Sequence, residues 1–138
     1  MFEITREVHA QLVGLALDEY PLEACGLVSG PPALDGGPGD RGVRFHPCRN
    51  DAESARVYTV DPRDFMAAEA DADDHGREIN AVVHSHTHSE PYPSPTDVAS
   101  AVSPAWHYVI VSLKRSSPEV RSYRIVDGSI HEEQLVVV

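Results

Sequence analysis

A chain of 138 residues, 41% hydrophobic and 24% charged, has room for one packed core and excludes a (β/α)8 barrel, which takes about 250 residues. Its formal charge of −11, from 11 basic and 22 acidic residues, disfavours nucleic acid and anionic membrane surfaces as partners. No run is apolar enough to span a membrane and no charged-then-apolar leader opens the chain, so a cytoplasmic protein is expected, with Cys25 and Cys48 as free thiols.

Met1 to Thr5 runs straight into a helical pattern, in which Val8, Leu12, Leu15 and Ala16 form one stripe. Thr5 is the expected N-cap, and Pro21 ends the helix near Glu19-Tyr20. Glu23 to Ser29 reads as a short strand with Glu23 at its mouth. Residues 30–42 are turn formers almost throughout, which predicts a hairpin loop between strands. Val43–Cys48 and Arg56–Val60 alternate as strands across an Asn50–Ser54 loop. Asp61-Pro62 caps and opens a helix through Phe65, Met66 and Ala70 that frays over 71–74.

Ile79–His84 is an apolar run fit for a central strand covered on both faces. Pro95-Thr96-Asp97 starts a short helix through Ala101, and Tyr108–Leu113 is a further apolar strand. Val120–Val126 pairs with Ile130–Val137 across Asp127-Gly128, a strong hairpin signal. The sum is one α/β or α+β domain over residues 1–138, a mixed sheet covered by helices, with a site where the central strand opens at His84.

His84 to Asp97 holds three imidazoles and two carboxylates in fourteen residues. Residues two apart on an extended segment point to one side, about 6.5–7 Å apart along the chain, so His84 and His86 can converge on one ion. A hydrolytic zinc needs three protein ligands and an open position for water. Asp97 can supply the third once Pro91, Pro93 and Pro95 turn the chain back. Glu23 is the candidate to take the water's proton and hand it on, and Ser94 can donate to a developing oxyanion.

Other readings compete for these residues. Ser94-Pro95-Thr96-Asp97 is also a helix start, with Ser94 as N-cap, and the two roles are compatible. His88 would complete a His-x-His-x-His set only if the strand stayed extended up to Pro91. His84-x-His86-x3-Glu90 matches half of a cupin site, but two helices stand where a cupin needs strands, and no later glycine-rich segment brings the other histidine.

His84-Ser85-His86, then Ser94 and Asp97, with the upstream Glu23-Ala24-Cys25-Gly26-Leu27, resembles the JAMM (MPN+) metalloprotease signature across nearly the full chain. The resemblance implies a cytidine-deaminase-like fold, a mixed sheet flanked by helices. It implies one zinc ion held by His84, His86 and Asp97 with a bound water as fourth ligand, Glu23 as acid and base, and Ser94 as oxyanion support. The Pro91-Tyr-Pro-Ser-Pro-Thr-Asp-Val98 segment and the Arg121–Gly128 ending are similar to the bacterial branch of that family, whose members cleave after the Gly-Gly terminus of a small ubiquitin-like sulfur carrier protein in cysteine metabolism. That branch makes the carrier the expected partner and leaves a homodimer open. A non-catalytic MPN-type interaction domain is the alternative from another class.

Overall fold

A computed structural model describes residues 1–35, 39–101 and 103–138. Its strands and helices, in chain order, are β1 (Phe2–Ile4), α1 (Arg6–Glu19), β2 (Cys25–Gly30), β3 (Arg41–Gly42), β4 (Arg44–Cys48), α2 (Pro62–Asp74), β5 (Glu78–His86), α3 (Pro95–Ala99), β6 (His107–Ser112), β7 (Glu119–Val126), β8 (Ser129–Glu133) and β9 (Leu135–Val137). Six strands form one sheet in the order β4-β2-β5-β6-β7-β8, and β3-β1-β9 form a second of three. The large sheet is mixed: β5 and β6 run parallel, and its other neighbours are antiparallel.

The central strand is β5, buried without a break from Asn80 to His86. Strand alternation divides it between two cores. Ala81 and Val83 face α1, packing with Phe2, Ile4, Val8, Leu12 and Ala16. Val82 faces the other way, with Cys25, Leu27, Ala68, Tyr108 and Ile110, on the α2 side. Each fully buried Val or Leu in these layers contributes about 1.5–3 kcal/mol.

The helix starts follow their caps. Thr5 Oγ1 accepts from the Val8 N–H at 3.1 Å, and Asp61 Oδ1 accepts from the Arg63 and Asp64 N–H groups at 2.8 and 3.2 Å. The β7–β8 hairpin turns at Asp127 and Gly128, with φ of 50° and 79°, the paired positive values a type I′ turn requires. Gly26 is needed for packing: a Cβ there would sit 2.5 Å from the Phe45 ring and 2.9 Å from the His46 carbonyl oxygen.

Four expectations are corrected. Phe2–Ile4 is a strand, pairing in parallel with β3 and β9; three residues are too few to display a period. Ile130–Val137 splits, since β8 stays with β7 while β9 crosses to the small sheet. Arg56–Val60 is not a strand: among the described residues its only ladder-type contact is a single bridge between Asn50 and Val60. Asp71–Asp74 does not fray, and α2 continues through Asp74 to a cap at His75.

The 30–42 loop, of which residues 36–38 lie outside the described residues, leaves β2 at Gly30, opposite Glu78 at the start of β5. Cys25, at the other end of β2, lies opposite His84. About six residues of strand, about 20 Å, therefore separate the point where this loop leaves β2 from the His84 end of the sheet. Its final residues, Arg41 and Gly42, are the short strand β3.

Candidate metal centre and its cleft

Directly paired residues on neighbouring strands share a face. Cys25 opposite His84 and Leu27 opposite Val82 put β2 and β5 in step. His84 and His86, spaced by two from Val82, therefore project to the α2 side. Glu23, two residues before Cys25, lies on the same side by the same count. The prolines then bring α3 over this face and aim Asp97 back at the histidines.

The three ligand-type atoms converge. His84 Nε2 lies 3.1 Å from His86 Nε2 and 3.1 Å from Asp97 Oδ2, and His86 Nε2 lies 3.0 Å from Asp97 Oδ2. Among the described residues, no other set of three or more His, Cys, Asp or Glu side chains is gathered in this way. Bonds of about 2.0–2.1 Å to a tetrahedral ion place ligand atoms about 3.3 Å apart, close to this triangle.

Proton accounting gives the same fit. His86 Nδ1 faces the Glu90 carbonyl oxygen at 2.8 Å, so it carries the hydrogen and a neutral ring aims the Nε2 lone pair at the centre. A second imidazole and a carboxylate oxygen meet that lone pair, an arrangement satisfied by a cation. The electrostatics agree. Burial lowers the His84 pKa, with Asp97 only partly opposing. Burial also disfavours charge on His86, but Asp97 and the Glu90 carbonyl outweigh it and leave the pKa raised. Burial alone would raise Asp97, yet the two imidazoles hold it far below the usual carboxylate range. The centre is short of positive charge, which one divalent ion on these residues would supply.

Asp97 carries two jobs with one oxygen. Its Oδ2 accepts from the Ser94 N–H at 2.9 Å, while Ser94 Oγ accepts from the Asp97 N–H at 3.1 Å, a reciprocal capping box. The cap therefore fixes the carboxylate that faces the histidines.

Glu23 is held by its backbone. Its N–H donates to the Ser54 carbonyl oxygen at 2.8 Å, and its carbonyl oxygen accepts from Asn50 Nδ2 at 3.0 Å. The next N–H, of Ala24, donates to Ser85 Oγ at 2.7 Å. The carboxyl end is buried, and its Oε1 has no protein partner among the described residues. Burial pushes its pKa from 4.5 up to about 7, with His86 opposing and Asp97 adding to the rise. Glu23, His86 and Ser94 line one cleft of about 510 Å3. Residues 50–60 arch beside it, and Tyr58 stacks on the His84 ring with centroids 4.4 Å apart and planes 17° from parallel.

A profile of prokaryotic homologs of the JAB domain matches residues 5–126. The chain belongs to the prokaryotic JAB family. This JAB protein is 38% identical over 128 residues to a CysO-cysteine peptidase of Mycobacterium tuberculosis (strain ATCC 25618 / H37Rv), covering 92% of this chain and 84% of that one. Its fold superposes on the solution structure of a Desulfitobacterium hafniense protein with a TM-score of 0.83 at 28% identity, covering 100% and 93% of the two chains. A structure described as a JAMM metalloprotease-like zinc site in the proteasome and signalosome shares the fold, with a TM-score of 0.59 at 18% identity over 100% and 98% of the chains. The JAMM/MPN fold is thus the α/β arrangement expected, and a cupin is excluded.

Other acidic and histidine side chains of the JAB chain stand apart from the centre. His88 turns to Tyr20, its Nε2 lying 3.3 Å from the phenol oxygen, and to Thr87 Oγ1 at 3.0 Å from Nδ1. Glu90 pairs with Lys114 and Arg115 at 3.0 and 2.5 Å, which holds its carboxyl down at about 2. His107 is fully buried against Glu133 and the Gly39 carbonyl oxygen. Cys25 and Cys48 are both free and buried, and burial raises each thiol to about 12. Sequence reasoning missed Asn50, Tyr58 and Ser85. Only Asn50 carried a signal, as the first residue of a turn-rich stretch.

Proposed function

We propose that this JAB protein is a cytoplasmic zinc-dependent peptidase, acting as one domain over residues 1–138. It hydrolyses the bond after the C-terminal Gly-Gly of a small ubiquitin-like sulfur carrier protein and releases cysteine or a short adduct. The observation that carries the chemistry is the triangle of His84 Nε2, His86 Nε2 and Asp97 Oδ2 with edges of 3.0–3.1 Å, open toward a cleft lined by Glu23. The substrate class rests on the similarity to the mycobacterial peptidase over 92% of this chain.

His84, His86 and Asp97 would hold a zinc ion, which when bound would supply a Lewis acid for the scissile carbonyl and lower the pKa of a water toward about 7. Glu23 takes the water's proton and delivers it to the leaving amine. Its partnerless Oε1 and its pKa near 7 suit a group that must both accept and return a proton. Ser94 Oγ already accepts from the Asp97 N–H, so its hydroxyl proton remains for the developing oxyanion. Tyr58 keeps the His84 ring in plane and screens that flank from water.

The test follows the mass of a carrier ending in Gly-Gly-Cys during incubation with the zinc-loaded protein. Loss of one cysteine residue is expected. An unchanged mass for that carrier and for other C-terminal adducts would refute the peptidase reading; cleavage of another adduct alone would keep the chemistry and change the pathway.

A further inference from the structure

Removal of a single terminal residue puts a second charge into the cleft. The α-carboxylate lies on the residue whose amine is leaving, within one Cα–Cα step of about 3.8 Å from the bond being cut. It arrives beside Glu23 and Asp97, both of which repel it, in a chain of net charge −11. A cation on that side of the cleft would convert the repulsion into recognition.

Arg56 lines the same cleft as Glu23, His86 and Ser94, and among the described residues it is the one permanently cationic side chain that does so. Arg41, Arg44, Arg49, Arg115 and Arg121 are each within 4.0 Å of an acidic side chain, whereas Arg56 has no such partner among the described residues. Its backbone is nonetheless pinned. The Arg56 N–H donates to Ser54 Oγ at 3.0 Å, and the preceding carbonyl oxygen, of Ala55, accepts from Thr87 Oγ1 at 3.2 Å. Ser54 in turn accepts from the Glu23 N–H at 2.8 Å. The residue thus hangs from the general base on one side and from the residue after His86 on the other. A guanidinium is suited to a carboxylate, which it can grip with two parallel hydrogen bonds.

We infer that Arg56 reads the free α-carboxylate of the released residue and so restricts cleavage to bonds one residue from a C-terminus. The inference rests on the peptidase reading above and names the group that sets its specificity. It is tested by kcat/KM on two carriers, one ending in Gly-Gly-Cys with a free carboxylate and one ending in the corresponding cysteine amide. The native protein is expected to favour the acid by about tenfold to a hundredfold, the worth of a charge-assisted pair. Arg56→Ala should collapse that ratio toward one, and Arg56→Lys should retain part of it. The same ratio should appear in the Kd of Glu23→Gln for the two carriers, with no turnover involved. Equal cleavage of both by the native protein, or a ratio that survives Arg56→Ala, would overturn the role of Arg56 and leave the peptidase standing. Cleavage of neither would remove the role of Arg56, and the peptidase reading would fall with it if other C-terminal adducts were also left uncut.

Discussion

The cost of keeping Glu23 buried should be measurable as stability gained when it is neutralised. With the metal removed, the Glu23 carboxyl has a pKa near 7 in the folded protein against 4.5 ordinarily. A raised folded-state pKa favours the protonated fold: the contribution is fully present below about pH 4.5 and is lost as pH rises through about 7. At 1.36 kcal/mol per pKa unit the loss reaches about 3 kcal/mol above pH 7. Glu23→Gln has no proton to lose, so its stability advantage over the native protein should grow by about 1–3 kcal/mol between pH 4.5 and 8. Near pH 8 that is a rise in Tm of about 5–10 °C for a domain of this size. The assay is urea unfolding of the chelator-treated proteins at a series of pH values. His84 and His86 titrate in both proteins and largely cancel in the difference. Parallel stability curves across that range would refute the buried-carboxylate account.

Three other outcomes follow from the same geometry. Asp97→Asn keeps the helix cap but weakens the charge at the centre, so metal analysis should find well under one zinc per chain, while Glu23→Gln should retain it and lose about 10²–10⁴-fold in kcat. Asn50→Ala removes the bonds to the Glu23 and Val57 carbonyl oxygens and to the Ala52 and Thr59 N–H groups; denaturant unfolding should show a loss of about 2–4 kcal/mol. The acid limb of kcat/KM should fall between pH 4.5 and 7, because burial raises Glu23 and a bound dication pulls it back; activity rises with pH as the carboxylate forms, and a limb above pH 7 would count against Glu23 as the base.

What could be read from the chain was whatever a short-range rule controls. The i, i+2 rule put His84 and His86 on one face, and the Ser94-Pro95 helix start placed Asp97, because strand alternation and capping act over a few residues. Glu23 was legible as a carboxylate at the mouth of its strand and as the candidate base, but its closeness to the centre was not, since its approach depends on Asn50, Ser54 and Ser85, which lie 27, 31 and 62 residues further on. The strands β1, β3 and β9 have two or three residues each and carry no period to detect. The Arg56–Val60 segment misleads for a definite reason. Tyr58 and Val60 do pack toward the α2-side core, giving the alternation of a strand. A side chain takes the place of the ladder, however: the Asn50 amide donates to the Val57 carbonyl oxygen and accepts from the Thr59 N–H.

The placement of the Gly30–Gly42 hairpin has a practical consequence. Leu34, in the first half of this loop, is fully exposed, and the strand from which the loop departs runs away from His84 toward Glu78. A reporter dye, an affinity handle or a short guest peptide inserted at residues 33–35 would ride at the pole opposite the cleft. Carrier binding could then be followed by fluorescence or surface capture with the substrate's approach unobstructed.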